Sequence, residues 1–219
     1  MKKHLYSAAA VIGLSMPSAA FAHHPLGGAP MQTFSDGLLS GIGHPILGFD
    51  HLLFVALVGI AAIFTGKRFA APAAYIAAML VGCLAMSNGF GLPAKETVIG
   101  LSLLVLGGIV LSGTALRLVP AIAVFAAFGL FHGSAFGDAM ASQEAAAGTE
   151  VLVGYLIGLG VIQYLIALAG GWFVASVLRV ANAASIEARL AGAVVAGAGL
   201  LLTLENAEGI VFGLLGWGA

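Results

Sequence analysis

Between Gly37 and Leu204 the chain is a succession of six apolar stretches, each close to the roughly 20 residues that carry a helix across a bilayer. They run from about Gly37 to Phe64, Phe69 to Ser87, Thr97 to Ala115, Leu118 to Met140, Val151 to Leu178 and Ala188 to Leu204. Hydrocarbon offers the backbone no water, so each stretch must satisfy its own N–H and C=O groups, which a helix does. A water-soluble alternative is excluded by composition. The chain is 61% hydrophobic and 8% charged, whereas a soluble domain carries about 25% charged residues. The expected fold is an all-α integral membrane protein with about six transmembrane helices. Its 32 glycines suit helices that pack closely in a membrane.

The N-terminus reads as a processing signal. Lys2 and Lys3 precede an apolar run from Leu5 to Met16, and Ala20-Phe21-Ala22 supplies a small-x-small cleavage site. Residues 1–22 are thus expected to be a bacterial signal peptide, 23–36 a short periplasmic segment, and 37–219 a polytopic transmembrane helical domain. Cleavage places the mature N-terminus outside. The loops after the first, third and fifth stretches then face the cytoplasm, and they hold Lys67, Arg68, Arg117, Arg179 and Arg189. The outer segments hold one cation, Lys95. This asymmetry follows the positive-inside rule and predicts a multi-pass protein of the bacterial inner membrane. The outer side also collects Asp36, Glu96, Glu144, Glu150, Glu205 and Glu208, a face that would concentrate cations. The apolar tail from Gly209 is too short to span. It is expected to be interfacial or re-entrant, or to extend the sixth helix past a break at Glu205-Asn206.

Several function classes drop out. A net charge of −1 argues against a nucleic-acid partner. One cysteine, Cys83, permits neither an intrachain disulfide nor a cysteine-based metal centre. No Gly-x-x-x-x-Gly-Lys-Ser/Thr loop occurs, so no ATPase activity is expected and no ATPase subunit is evident. The partners left are the lipid bilayer and whatever the intramembrane polar groups hold.

Those groups form two constellations. In the first stretch, His44, Asp50 and His51 fall within eight residues. Each ionisable group at membrane depth costs of order 2.5–3.5 kcal/mol on insertion scales. Imidazole and carboxylate together form a ligand set suited to divalent transition metals. On a straight helix His44 and His51 lie on nearly one face but about 10.5 Å apart along the axis. A compact site therefore needs a break, for which Pro45 and Gly48 are the candidates, or help from another helix. Asp50 is offset from His51 by about 100° and can be a direct ligand or a partner for a ring N–H.

The fourth stretch holds Phe131-His132-Gly133-Ser134-Ala135-Phe136-Gly137-Asp138. Gly133 and Gly137 form a small-xxx-small ridge that admits a close neighbouring helix, expected to be the first. His44, Asp50, His51, His132 and Asp138 together would suffice for one divalent ion.

At these residues the chain resembles the HupE/UreJ family of nickel/cobalt permeases. His44-x5-Asp50-His51 is similar to that family's His-x5-Asp-His motif. Phe131-His132-Gly133-x-Ala135-x-Gly137 is similar to its Phe-His-Gly-x-Ala/Val-x-Gly-x-Glu signature. The likeness extends to the exported N-terminus, six spans and chain length. It implies a secondary permease that imports Ni²⁺ or Co²⁺ as cargo, with no prosthetic group. Two departures stand out. The closing Glu would fall at Ala139, whereas the acid here is Asp138, and Ser134 and Phe136 stand where members with a His-rich second motif carry His.

Weaker signals complete the reading. Cleavage after Ala22 would expose His23-His24, and a free amine with a His at position two can chelate a square-planar ion. Met79, Cys83 and Met86 form a soft stripe, read here as packing. Tyr155, Gln163 and Tyr164 are read as interhelical hydrogen-bonding groups. Two alternatives to a permease stay open: an intramembrane metalloenzyme, which lacks a His-Glu-x-x-His motif in its favour, and a metal-binding accessory subunit. No enzymatic activity is expected.

Overall fold

The computed structural model describes residues 30–141 and 148–217. The expected signal peptide 1–22, His23, His24 and Glu144 lie outside the described residues. The described chain is helical: α1 (Phe34–Leu47), α2 (Phe49–Ile63), α3 (Ala70–Ser87), α4 (Lys95–Leu111), α5 (Leu118–Ala141), α6 (Thr149–Trp172) and α7 (Ile186–Leu215), with one π-helical turn, Phe173–Val177, continuing α6. Four of these are long and apolar enough to cross a membrane: α3, α5, α6 with its π-turn, and α7. A fifth crossing is made if α1 and α2 count as one span broken by a bend of 83°. The chain is a multi-pass membrane protein. Its α4, with 17 residues, sits at the short end of the spanning range.

The first apolar stretch is not one helix. It is capped at Thr33, whose hydroxyl accepts from the Asp36 amide at 3.2 Å while the Asp36 carboxylate accepts from the Thr33 amide at 2.9 Å. Asp36, expected to help attract cations, also closes this reciprocal cap, and the helix begins three residues earlier than expected. The break falls on Gly48 alone. Its N–H donates to the His44 carbonyl at 3.0 Å, and its own carbonyl accepts from Leu52 at 2.9 Å. One residue thus ends α1 and starts α2. Pro45 stays inside the last turn of α1.

The opposite happens at the C-terminus. Here α7 passes through Glu205 and Asn206 without a break and stops at Gly216, in the left-handed region with φ 69°. Asn206 is absorbed because its amide donates to the Leu202 carbonyl one turn back at 2.9 Å. Thirty residues make a helix of about 45 Å, longer than a hydrocarbon core of about 30 Å.

Helices pair through glycine seams. The closest partners are α3 with α5, α4 with α7, and α1 with α6. Gly37 and Gly41 of α1 bring the backbone onto the Val151 and Tyr155 carbonyls of α6, with no room for a Cβ. Gly133 of α5 lies equally close to the Met79 carbonyl of α3. The Gly133/Gly137 ridge therefore faces α3, against Met79, Cys83 and Met86, and not the first span as expected. The same contact gives the soft stripe its role as packing, with Met79 and Cys83 fully buried. Packing of this kind replaces the hydrophobic driving force that lipid does not supply between helices.

Candidate functional site

The bend at Gly48 points the end of α1 and the start of α2 into one cavity of about 660 Å³. Its walls include His44, Asp50 and His51, with Glu96 from α4, Asp138 from α5, and Leu201 and Leu202 from α7. Four of the five intramembrane residues singled out from sequence thus share one chamber. Asp50 lies in the first turn of α2, where a helix's positive end favours a carboxylate. Its Oδ2 lies 3.8 Å from His51 Nε2.

His132 is the fifth, and it stands behind the wall. It is fully buried, stacked on Phe54 at 4.4 Å between ring centroids. Both its nitrogens have protein partners: Nδ1 lies 2.8 Å from His51 Nδ1, and Nε2 lies 2.9 Å from Ser102 Oγ. The proton positions follow from the donors available. The single Ser102 proton goes to the Ile99 carbonyl at 2.7 Å, which can only accept. Ser102 Oγ must then accept from His132 Nε2–H. That makes His132 Nδ1 a lone-pair nitrogen, so it accepts from His51 Nδ1–H. A neutral His51 then carries its lone pair on Nε2, toward Asp50.

His44 obeys the same logic. Tyr155 Oη donates to the Phe136 carbonyl at 3.0 Å, so at 3.1 Å it accepts from His44 Nδ1–H. A neutral His44 likewise carries its lone pair on Nε2. Phe136 lies against both rings, 4.1 Å from His51 and 5.2 Å from His44 between centroids. Imidazoles that ligate metal ordinarily donate their other N–H to a fixed partner, which sets tautomer and orientation. Both chamber histidines have that arrangement.

Sequence reasoning missed Ser102, Glu96 and Phe136 as parts of the site, and read Tyr155 as an interhelical hydrogen-bonding group without placing it beside His44. A serine in an apolar helix carries no signal of its partner, because that partner is on another helix. Ser134, the neighbour of Gly133, is spent elsewhere: its Oγ accepts from the Leu92 amide at 3.0 Å and holds the loop before α4. Among the described residues, no three His, Cys, Asp or Glu side chains converge closely enough to hold an ion by themselves.

The far side of the site is closed. Along α2 beyond His51, Phe54, Leu57 and Val58 are fully buried, and Tyr75 beside them donates to Gln163 Oε1 at 2.9 Å. Gln163 and Tyr164, which donates to the Phe69 carbonyl, thus hold helices together as expected. The chamber is separated by this layer from the loop that carries Lys67 and Arg68.

Removing Ser102 tests the tautomer chain. In Ser102→Ala the His132 Nε2–H loses its acceptor, and His132 is free to turn its proton toward His51 and shift the His51 lone pair away from the chamber. Loss of such a supporting group typically weakens metal binding about 10- to 100-fold. Cobalt titration of the purified variant, followed by its visible absorption, should show that loss with the fold intact. An unchanged midpoint would mean Ser102 sets nothing.

Fold and site define a class: a helical membrane protein with paired, tautomer-fixed imidazoles and carboxylates in an intramembrane chamber. The family model described as HupE / UreJ protein matches residues 10–202. The chain is also 32% identical over 191 residues to "Protein HupE" of Rhizobium leguminosarum bv. viciae, covering 86% of this chain and 92% of that protein. The chain belongs to the HupE/UreJ family. No solved structure matches it.

Proposed function

We propose that this protein is a secondary permease of the bacterial inner membrane that imports Ni²⁺ or Co²⁺ through the His44/Asp50/His51 chamber. The observation that carries the proposal is the pair of histidines, each held at Nδ1 by a protein partner, that line one chamber with Asp50. Membership in a family associated with nickel and cobalt transport supports the choice of ion. In this reading His44 and His51 replace part of the hydration shell, Asp50 offsets charge, Asp138 lines the chamber, and His132 positions His51. The ion keeps some of its water, because the protein groups do not close around one point. Such a site binds firmly enough to admit an ion and weakly enough to release it.

The reading includes six crossings, with α1–α2 as the broken one and α4 as the shortest. A cleaved signal peptide leaves the mature N-terminus in the periplasm, where His23 and His24 are available as first ligands. The chamber then opens outward, and the Phe54/Tyr75 layer is the closed inner side. A membrane potential, negative inside, favours import of a divalent ion by about 4.6 kcal/mol per 100 mV, so no ATP is needed. No prosthetic group takes part.

Purified protein in liposomes loaded with a metal-sensitive dye decides between the readings. Potential-driven influx of Ni²⁺ or Co²⁺ supports the permease. Tight binding without influx points instead to an accessory subunit, and substrate turnover to a metalloenzyme. The pH dependence has a definite sign. A protonated imidazole cannot ligate, so influx should fall as the external pH drops from 7.5 through the imidazole range and recover on return. Influx that rises on acidification would contradict ligation by neutral His44 and His51.

A further inference from the structure

The outer segments of the sequence carry one cation, Lys95, and its ammonium turns inward. The Lys95 side chain is only 19% exposed, and its Nζ pairs with Asp138 Oδ1 on the neighbouring helix. Asp138 lines the chamber, as does Glu96, the residue next to Lys95. The chamber thus holds three carboxylates, of Asp50, Glu96 and Asp138, and one of them is already engaged by a tethered cation.

We propose that Lys95 is a specificity-determining residue that shields Asp138 from oxygen-seeking ions. The inference rests on the reading of the chamber as an ion site. Mg²⁺ and Ca²⁺ take oxygen ligands almost exclusively, so their hold on this chamber depends on its carboxylates. A charge-assisted hydrogen bond from the Lys95 ammonium, held by a side chain 19% exposed against a carboxylate 43% exposed, competes for one of them. Ions that prefer imidazole are attracted to His44 and His51 whether or not Asp138 is available. The ammonium therefore penalises the hard ions more than the nitrogen-binding ones, and discrimination between ligands can rest on such a penalty as much as on attraction. Its position at the first residue of α4 fixes it beside the mouth without adding a cation to the histidine wall.

The test is Co²⁺ influx into liposomes containing the full-length protein, measured against rising external Mg²⁺. In Lys95→Met the Mg²⁺ concentration that halves influx should fall about tenfold, the scale of one lost charge-assisted contact. Lys95→Arg should behave as wild type. The double variant Lys95→Met/Asp138→Asn should regain wild-type Mg²⁺ tolerance for the influx it retains, because the exposed carboxylate is gone. A merely structural ion pair would make the single and double variants alike. Acetylation of the folded protein in a Lys67→Arg background, read against a Lys67→Arg/Lys95→Met control that reports the effect of the remaining amines, removes the Lys95 charge without passing through folding and should reproduce the Mg²⁺ sensitivity. Unchanged Mg²⁺ sensitivity in Lys95→Met and after acetylation, with wild-type Co²⁺ influx intact, overturns this inference alone. A wild-type protein that carries no Co²⁺ overturns it together with the transport reading.

Discussion

Replacing His51 with alanine should reduce nickel and cobalt accumulation by more than about 100-fold, beyond the range typical for losing a supporting group. The substitution removes a proposed ligand at Nε2 and, at the same time, the donor that reaches His132 Nδ1 at 2.8 Å. The structural penalty is smaller. His132 keeps its bond to Ser102, so what is left is one unmatched acceptor and a small void beside Phe136, together costing about 1–3 kcal/mol. The variant should therefore reach the membrane in near-normal amount and fail in function. Accumulation of radioactive nickel and cobalt in cells, normalised to protein in the membrane fraction, reads this directly. His132→Ala should show the smaller functional loss of a positioning residue, with the larger loss of stability, because its ring fills a fully buried site against Phe54. Normal accumulation in His51→Ala would remove the chamber from the transport path.

The second large effect falls on assembly. Gly133→Ala adds one methyl group where the Met79 carbonyl oxygen already stands, with the Cys83 amide nitrogen 2.9 Å away. Both are backbone atoms, so no side chain can rotate to make room, and α3 and α5 must separate. Overpacking of this kind costs about 1–3 kcal/mol and occasionally more. The thermal midpoint in detergent should drop clearly, and His132, the preceding residue, should shift from Ser102 and His51. Gly108→Ala is the matched control, since nothing lies within 4 Å of its added carbon. It should be neutral. Equal midpoints for the two variants would show that the α3–α5 seam does not constrain the fold.

The sequence was informative where the physics is local. Runs of apolar residues dictate helices in lipid, and Pro45 and Gly48 marked the break that brings His44 and Asp50-His51 to one chamber. Glycine suits the break at Gly48, where a Cβ would stand 3.1 Å from the His51 ring and 3.3 Å from the Asp50 carboxylate. Partnerships between helices were harder to read. The Gly133/Gly137 ridge announced a close neighbour without saying which, and α3 took the place expected for the first span. His132 looked like a ligand because a buried histidine beside a glycine ridge carries no mark of its own partners. Only the position of Ser102, with its proton already given to Ile99, assigns the ring's two nitrogens. Asp36 and Asp138 show the same limit. Their charge was evident, but their partners, Thr33 in a helix cap and Lys95 on α4, required the fold.

The bend at Gly48 also bears on how the protein is made. Separately, α1 and α2 are about 21 and 23 Å long, each short of a hydrocarbon core of about 30 Å. The seam that secures α1 is the face of α6 near Val151 and Tyr155, and α6 is the next-to-last long helix to be synthesised. This helical pair must therefore wait, incompletely housed, until most of the chain has followed it. Membrane insertion of the chamber-lining segment is thereby tied to completion of the helices that will enclose it.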